Sequence, residues 1–220
     1  MPTGPLLVLA HGAGAGQGHP FMTAVATGLA ERGLAVATFD FPYMAEGRRV
    51  PDRLPVLEAA FRDAVERARA TEGLGVLPLI IGGKSMGGRV ATHLAVEGLG
   101  GLRGVISLGY PLHPPGRPER PRTAHLPGIR IPWLIVQGER DAFGTPDELQ
   151  PVLAGVPGPV TLDIIAGGDH SFAVPRRMGR TEADVRTALL DRVASWSREV
   201  CGGAGEPART GHGGPADQSA

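Results

Sequence analysis

Short runs of apolar residues alternate with amphipathic stretches along most of the chain, and this alternation restricts its fold more than any other feature. The apolar runs predict strands at residues 6–10, 35–39, 79–81, 104–108, 133–136 and 160–165. Strands that are apolar throughout and alternate with helices form a parallel sheet covered by helices on both faces. The sequence therefore predicts an α/β fold with a mostly parallel sheet of about six strands.

Apolar residues between the predicted strands recur at the three- and four-residue spacing of a buried helix face. This spacing predicts helices at residues 20–32, 53–70, 85–97 and 181–200, and a short helix that Thr145 caps. Sites in such sheets lie beyond the carboxyl ends of the strands. Functional residues are therefore expected in the loops that begin at His11, Phe41, Gly82, Gly109, Gln137 and Ala166.

Length and composition fit a single globular domain. The chain has 220 residues, of which 42% are apolar and 20% are charged. We assign residues 1–200 to one domain, in which residues 112–128 form a long loop or a small lid because they are rich in Pro and Arg and show no periodicity. Residues 201–220 are rich in Gly, Ala and Pro, which predicts a disordered tail.

The charge balance and the N-terminus narrow the class of protein. Basic and acidic residues are equal in number, so the formal net charge of zero gives no support for nucleic-acid binding. A single cysteine, Cys201, excludes an intrachain disulfide framework. The first apolar run is shorter than a signal-peptide core or a membrane span. We therefore expect a cytoplasmic protein without membrane association, whose oligomeric state the sequence does not indicate.

The segment GKSMG at residues 83–87 fits two motifs that imply different chemistry. A phosphate-binding Walker loop needs a glycine five positions before Gly83, but Pro78 stands there and strand-forming residues follow it. The alternative is a G-x-S-x-G turn, which presents a nucleophilic serine between a strand and a helix. Both neighbours are predicted here, so we favour Ser85 as a nucleophile over a simple helix N-cap.

A glycine-rich segment at residues 12–18 raises a second nucleotide hypothesis, in which Asp40 would bind a ribose. The dinucleotide motif G-x-G-x-x-G needs a small residue three positions after its second glycine. In the three possible registers this position holds Gln17, His19 or Phe21. The dinucleotide hypothesis therefore fails.

A serine nucleophile needs a base, which is usually a histidine oriented by a carboxylate. His170 follows the sixth predicted strand and is the best candidate for the base. Asp141 follows the fifth strand and is favoured as the acid over Glu139, whereas Asp169 cannot easily orient its own neighbour. The order of Ser85, Asp141 and His170 along the chain is the order found in α/β-hydrolases.

The remaining site residues are expected in the same loops. The backbone amide of Met86 and that of Ala13, with Gly12 as the second choice, would form an oxyanion hole. Residues expected to line the substrate site are Tyr110, Leu112, His113, Phe143 and Phe172. Several cations lie in these loops, namely Arg48, Arg49, Arg117, Arg120, Arg122 and Lys84. They raise the option of an anionic substrate, although solvated loop charges are the simpler interpretation.

The motifs LAHGAG, GGKSMGGR, GYPLHPPG, QGERDAFGT and GDHSF together resemble the compact bacterial α/β-hydrolases related to dienelactone hydrolases. The resemblance is greatest to the branch that shares a domain with a chromatin-complex subunit and a testis-expressed protein. It covers roughly residues 5–200, the size of a whole domain. It implies an α/β-hydrolase fold with a Ser-Asp-His triad at Ser85, Asp141 and His170, and neither a metal nor a cofactor. Dienelactone hydrolases proper have a cysteine where this chain has Ser85.

These observations predict a serine hydrolase that cleaves a small-molecule ester or thioester through an acyl-enzyme intermediate. The alternative is a catalytically silent binding or scaffold module with the same fold, because a fold does not by itself determine function.

Overall fold

The computed structural model describes residues 4–202 and contains one fully parallel sheet. Its six strands are adjacent in the order β2-β1-β3-β4-β5-β6. Their bounds are β1 Leu6–Ala10, β2 Ala35–Phe39, β3 Leu79–Lys84, β4 Leu102–Leu108, β5 Trp133–Gly138 and β6 Val160–Ile165. The predicted parallel sheet is confirmed, and the three strands whose bounds differ from prediction are longer because polar residues and glycines extend them.

Helices cover both faces of the sheet, as predicted. Their bounds are α1 Pro20–Ala30, α2 Pro42–Ala45, α3 Leu54–Ala70, α4 Met86–Glu97, α5 Pro146–Leu153 and α6 Glu182–Gly202, with 3-10 turns at Leu126–Gly128 and Arg176–Met178. Helix α2 was not predicted, because four residues are too few to show a helical period. Apolar residues of α3, α4 and α5 pack in one core, and those of α1 and α6 pack in the other.

Strand β1 shows why the strand sequences are apolar throughout. Leu6, Val8 and Ala10 belong to the core on the α3 and α4 side, whereas Leu7 and Leu9 belong to the core on the α1 and α6 side. Alternate residues of a strand point to opposite faces, and both faces are buried here. Because all six strands are parallel, their carboxyl ends lie at one edge of the sheet.

Side chains cap two helices at the positions that the sequence indicates. The Thr145 side chain accepts a hydrogen bond from the Glu148 amide, and Glu148 reaches back to the Thr145 amide, which forms a capping box on α5. Thr181 and Asp184 make the equivalent reciprocal pair at the start of α6. Helix α6 includes Cys201 and Gly202, two residues that we assigned to the tail, and the other residues of that segment, 203–220, lie outside the described part.

The segment at residues 112–128 forms an irregular loop between β4 and β5, with a single 3-10 turn at its end. Residues 115–121 are exposed, but the Arg122 amide donates to the Leu112 carbonyl over 2.7 Å. The loop is therefore closed at its base by the backbone.

Across residues 4–202, no helix is both long enough and apolar enough to cross a membrane.

Candidate active site

Ser85 lies in a sharp turn between β3 and α4. Its backbone φ of 49° is in the left-handed region, which a residue with a side chain adopts only under strain. The turn packs tightly against β1, because a Cβ added at Gly87 would lie 2.5 Å from the Ala10 carbonyl oxygen. The Ser85 amide also donates to the Leu108 carbonyl at the end of β4. This geometry places the hydroxyl at the N-terminus of α4.

The side chains of Ser85, His170 and Asp141 form a continuous hydrogen-bonded chain. Ser85 Oγ lies 2.9 Å from His170 Nε2, and His170 Nδ1 lies 2.7 Å from Asp141 Oδ2. An ionised carboxylate can only accept, so Nδ1 carries the proton and Nε2 is left to accept the serine hydroxyl. The three loops after β3, β5 and β6 thus bring together residues that are 56 and 29 positions apart.

Asp141 is fully buried, and its position is set by neighbours of β5. Its Oδ1 accepts a hydrogen bond from the Phe143 amide over 2.8 Å, and its Oδ2 accepts another from Gln137 Nε2 over 2.9 Å. Gln137 also accepts from the Tyr110 amide, so it joins the ends of β4 and β5. We did not predict this role for Gln137, although a glutamine that ends an otherwise apolar strand is a signal for it.

Glu139 and Asp169, the two alternatives to Asp141 as the acid, bind other partners. Glu139 Oε2 accepts a hydrogen bond from the Gly167 amide over 2.5 Å. Asp169 Oδ1 accepts from the amides of Ser171 and Ala173. Both acids therefore bind backbone of the loop that carries His170, and neither contacts the imidazole.

Lys84 fixes the histidine loop to the turn that carries Ser85. Its Nζ donates to the His170 carbonyl over 2.7 Å and lies 5.3 Å from the centre of the Phe172 ring. Burial lowers the pKa of Lys84 to about 8, although the charges of Asp141 and Asp169 act in the opposite direction. The sequence placed Lys84 near the nucleophile but gave it no role.

Gly12, Ala13 and Met86 line one cavity together with Ser85. Tyr43 Oη donates to the Ala13 carbonyl over 3.0 Å. Among residues 4–202, no backbone carbonyl or side chain accepts a hydrogen bond from the amides of Ala13 or Met86. Both amides are thus available to a ligand beside the serine. Burial raises the pKa of Tyr43 to about 12, so its hydroxyl remains a donor.

Two residues, His11 and Asp40, hold the glycine-rich loop through hydrogen bonds. His11 is fully buried, its Nδ1 donates to the Gly12 carbonyl, and its Nε2 accepts from the Phe41 amide. Burial lowers the pKa of His11, which keeps the ring neutral. Asp40 accepts hydrogen bonds from the amide and the side chain of Gln17. Asp40, once considered for ribose binding, therefore fastens the loop.

The cavity beside Ser85 has a volume of about 670 Å³. Much of its wall is apolar and comes from helices α1, α3 and α4. These apolar residues are Phe21, Met22, Leu54, Leu57 and Met86. Phe143, His170 and Ser171 add to the wall near the triad. Phe143 is the one expected substrate-binding residue that lines this cavity.

The other expected substrate-binding residues lie outside the cavity wall. Tyr110 is fully buried, and its hydroxyl donates to the Arg122 carbonyl. Leu112 packs in the core against Gly144, and His113 is buried against the Pro114 carbonyl and Glu148. Backbone hydrogen bonds hold this segment, from the Tyr110 amide to Gln137 and from the His113 amide to the Phe143 carbonyl.

Phe172 is also buried rather than exposed to the cavity. It has a φ of 65°, and its ring stacks on Phe21 at a centroid distance of 6.0 Å. Phe172 therefore packs behind Phe21, which itself lines the cavity.

Of the arginines identified in the loops, only Arg122 lines the cavity. Arg48 is exposed and pairs with Glu46 and Asp52. Arg49, Arg117 and Arg120 are exposed. A second arginine of the cavity wall, Arg89, was not predicted. Its position four residues after Ser85 on the following helix was the available signal, because residues four apart lie on one helix face.

The sheet, the strained serine turn and the order of the loops define a protein of the α/β-hydrolase fold. The profile of the family described as alpha/beta hydrolase domain matches residues 3–198, so the chain belongs to that family.

Solved structures of hydrolases are similar to this chain over most of its length. The dienelactone hydrolase of Anabaena variabilis has a TM-score of 0.72 and 22% identity over 90% of this chain and 88% of its own. An α/β serine hydrolase without lid from Xanthomonas campestris has a TM-score of 0.67 and 23% identity, over 88% and 83%. Est1E of Butyrivibrio proteoclasticus, solved with ferulic acid, has a TM-score of 0.62 and 19% identity, over 88% and 93%. At these identities the similarity shows the fold.

Proposed function

We propose that this protein is a serine hydrolase that cleaves a small-molecule ester or thioester. The observation that carries the proposal is the unbroken chain from Ser85 Oγ to His170 Nε2 and from His170 Nδ1 to the buried Asp141 carboxylate. These contacts have the lengths that proton transfer requires. The serine hydrolase from Xanthomonas campestris among the similar structures supports the reaction class by analogy.

In the first half of the reaction, His170 takes the proton of Ser85 as Oγ attacks the substrate carbonyl carbon. The C–O or C–S bond of the substrate then breaks, and His170 returns the proton to the leaving group. Asp141 stabilises the imidazolium that forms in between. In the second half, the same histidine deprotonates a water molecule, which attacks the acyl-serine and releases a carboxylic acid and free Ser85.

The negative charge that develops on the carbonyl oxygen needs preorganised donors. The amides of Met86 and Ala13 are the candidates, because both line the cavity beside Ser85 and neither has a partner among the described residues. Gly12 is the second choice in the first loop. The N-terminus of α4 adds its dipole at the same place.

The sequence motifs support finer assignments, which we add to the proposal. We propose that the domain spans residues 1–200. The five motifs together support membership of the branch that shares a domain with a chromatin-complex subunit and a testis-expressed protein. We assign its action to the cytoplasm. The closed hydrogen-bonded chain supports an active enzyme over a silent scaffold module, because a scaffold has no need of a buried aspartate aligned on a histidine.

A fluorophosphonate probe and short-chain 4-nitrophenyl esters test the proposal. Wild-type protein should be labelled, whereas Ser85→Ala should not be labelled and should lose kcat by about 10⁴-fold or more. Ser195→Ala is a matched control, because this serine lies on α6 and its hydroxyl donates to Glu199. An unlabelled wild type, or a Ser85→Ala variant with wild-type turnover, would overturn the proposal.

A further inference from the structure

Two guanidinium groups, those of Arg89 and Arg122, line the same cavity as Ser85. We call them the arginine pair. Among residues 4–202, neither one forms a salt bridge. Arg89 Nε is buried without a hydrogen-bond partner, and Arg122 makes one long contact of 3.5 Å with the Pro111 carbonyl. The cavity wall therefore includes two arginines that form no ion pair with the described residues.

Acidic residues near the arginine pair are engaged elsewhere. Glu97 pairs with Arg62, and Asp52 pairs with Arg48 and accepts from the Tyr43 amide. Glu58 lies beyond ion-pair distance from Arg89, and its Oε1 is 3.6 Å from His93. A partly buried charge without a counterion is unfavourable, so the site is incomplete until an anion binds. Burial and the charge of Arg89 lower the pKa of Arg122, in agreement with this environment.

The backbone holds both arginines in place before any ligand binds. Arg89 lies in the first turn of α4, where its amide donates to the Ser85 carbonyl over 3.0 Å. Arg122 donates its amide to Leu112, and its carbonyl accepts from the buried Tyr110 hydroxyl over 2.8 Å. These bonds fix the main chain of both residues, and guanidinium groups bind a planar carboxylate through paired hydrogen bonds. The arrangement is therefore suited to a carboxylate more than to a loosely held surface ion.

Much of the rest of the cavity wall is apolar, through residues such as Phe21, Leu57 and Met86. Its other charged residues are Lys84 and Asp52, and Asp52 is paired with Arg48. A ligand that fits must therefore combine an apolar chain with an anionic end. We propose that the arginine pair is a carboxylate-binding subsite, and that the substrate is an ester or thioester with a carboxylate separated from the reacting carbonyl by a short apolar chain. This inference rests on the proposed function and specifies its substrate class.

Paired substrates test the inference, with the carboxylate on either side of the scissile bond. Mono-4-nitrophenyl glutarate carries it on the acyl side, and its methyl-capped form is the neutral match. For the alcohol side, 4-acetoxybutyrate is compared with 4-acetoxybutyramide by release of acetate. We expect kcat/KM to favour the anion by about 10-fold or more in one of the two pairs, as charge-assisted hydrogen bonds predict. High salt should weaken this preference.

Variants assign the preference to the arginine pair. Arg89→Gln and Arg122→Gln should each lower the anion-to-neutral ratio of kcat/KM by about 10-fold, because each removes a charged donor. Arg117→Gln is the matched control, because Arg117 is an exposed arginine of the same loop as Arg122 and does not line the cavity. It should keep the wild-type ratio. A ratio near one in wild type, or a ratio that survives both substitutions, would overturn the subsite.

A binding measurement separates failure of the subsite from failure of the proposed chemistry. Glutarate is titrated into Ser85→Ala protein by calorimetry, with and without Arg89→Gln and Arg122→Gln together. Binding that depends on the arginine pair supports the subsite even if no ester is cleaved. Efficient cleavage of neutral esters, with no anion preference and no glutarate binding, leaves the serine hydrolase proposal standing and removes the subsite.

Discussion

The cavity contains two groups of polar residues that satisfy their hydrogen bonds in opposite ways. In the triad, Ser85, His170 and Asp141 bind one another, and Gln137 and the Phe143 amide complete the shell of the carboxylate. In the arginine pair, Arg89 and Arg122 have no acidic partner within the described chain. The triad thus has all its partners within the protein, whereas the arginine pair has no acidic partner among the described residues.

Under the proposed function, this difference distinguishes residues that perform the reaction from residues that select the ligand. A reactive group must be oriented before substrate arrives, so its partners belong to the fold. A recognition group gains affinity and specificity when the ligand itself supplies the missing partner. Changes to the triad should therefore affect all substrates alike, whereas changes around the arginine pair should affect anionic substrates selectively.

Asp141→Asn should have the largest effect of the variants that keep Ser85. An asparagine that presents its amide nitrogen to Nδ1 favours the wrong histidine tautomer, so we expect kcat to fall by about 10²- to 10⁴-fold for neutral and anionic esters alike. Asp163→Asn, on β6, is the control. Turnover of 4-nitrophenyl esters measures the loss, and a change of less than tenfold, with the fold intact by circular dichroism, would contradict the assigned role.

Gly87→Ala should disturb the backbone that presents Ser85. The new methyl group would lie 2.5 Å from the Ala10 carbonyl oxygen and 2.7 Å from that of His11, and neither backbone can move freely. We expect a loss of about 1–3 kcal/mol in the free energy of unfolding, as overpacking predicts. Gly14→Ala, which meets open space, is the control for urea unfolding. Equal stability of the two variants would show that β1 does not constrain the turn.

The sequence suggested the proposed triad more readily than the arginine pair, for a physical reason. Ser85, Asp141 and His170 each follow a buried strand, and parallel strands bring their carboxyl ends together, so chain order and strand position were sufficient to propose the three residues. Arg89 lies inside a helix and Arg122 in a loop without periodicity. Such a side chain can face a cavity, a neighbouring acid or solvent. Tertiary packing decides which, and local sequence patterns do not predict it.

The expected substrate residues show the same limit. Tyr110 and Leu112 follow β4 and were assigned to the cavity by position alone. The amide of Tyr110 donates to the Gln137 side chain at the end of β5, and both Tyr110 and Leu112 pack in the core. Strand positions and helix caps depend on local residues and were predicted well, although three of the six strands are longer than predicted. The directions of loop side chains depend on distant partners and were not.

Lys84 is the single lysine of the sequence, which makes its role directly measurable. Burial lowers its pKa from 10.5 to about 8, so one lysine signal in a ¹³C NMR titration should show a midpoint near pH 8. A midpoint above 10 would contradict the buried geometry. Lys84→Met removes the hydrogen bond to the His170 carbonyl and should lower kcat for both substrate classes by about tenfold, as expected for a lost charged donor.

The same shift in pKa predicts how Lys84 changes stability with pH. Between about pH 8 and 10.5 the unfolded chain holds a proton that the folded protein has released, so raising the pH favours the folded state. The stability of wild type relative to Lys84→Met should therefore increase across this window and stay constant below it. Urea unfolding of both proteins at pH 7, 8, 9 and 10 measures the difference. A difference that is flat, or that decreases with pH, would contradict the assignment.

Tyr110→Phe should have the smallest effect on activity of these variants. It tests most directly whether the arginine pair acts independently of the triad. Its buried hydroxyl donates to the Arg122 carbonyl, and burial raises its pKa above the ordinary value, so it stays a donor. Loss of this bond should lower stability by about 1 kcal/mol and the anion-to-neutral ratio a few-fold, because Arg122 is held less firmly. Tyr43→Phe is the counterpart, since that hydroxyl binds Ala13 and should slow both substrates equally. A change in the anion-to-neutral ratio of kcat/KM in Tyr43→Phe but not in Tyr110→Phe would contradict this division. The triad side of the cavity would then select the substrate and the arginine pair would not.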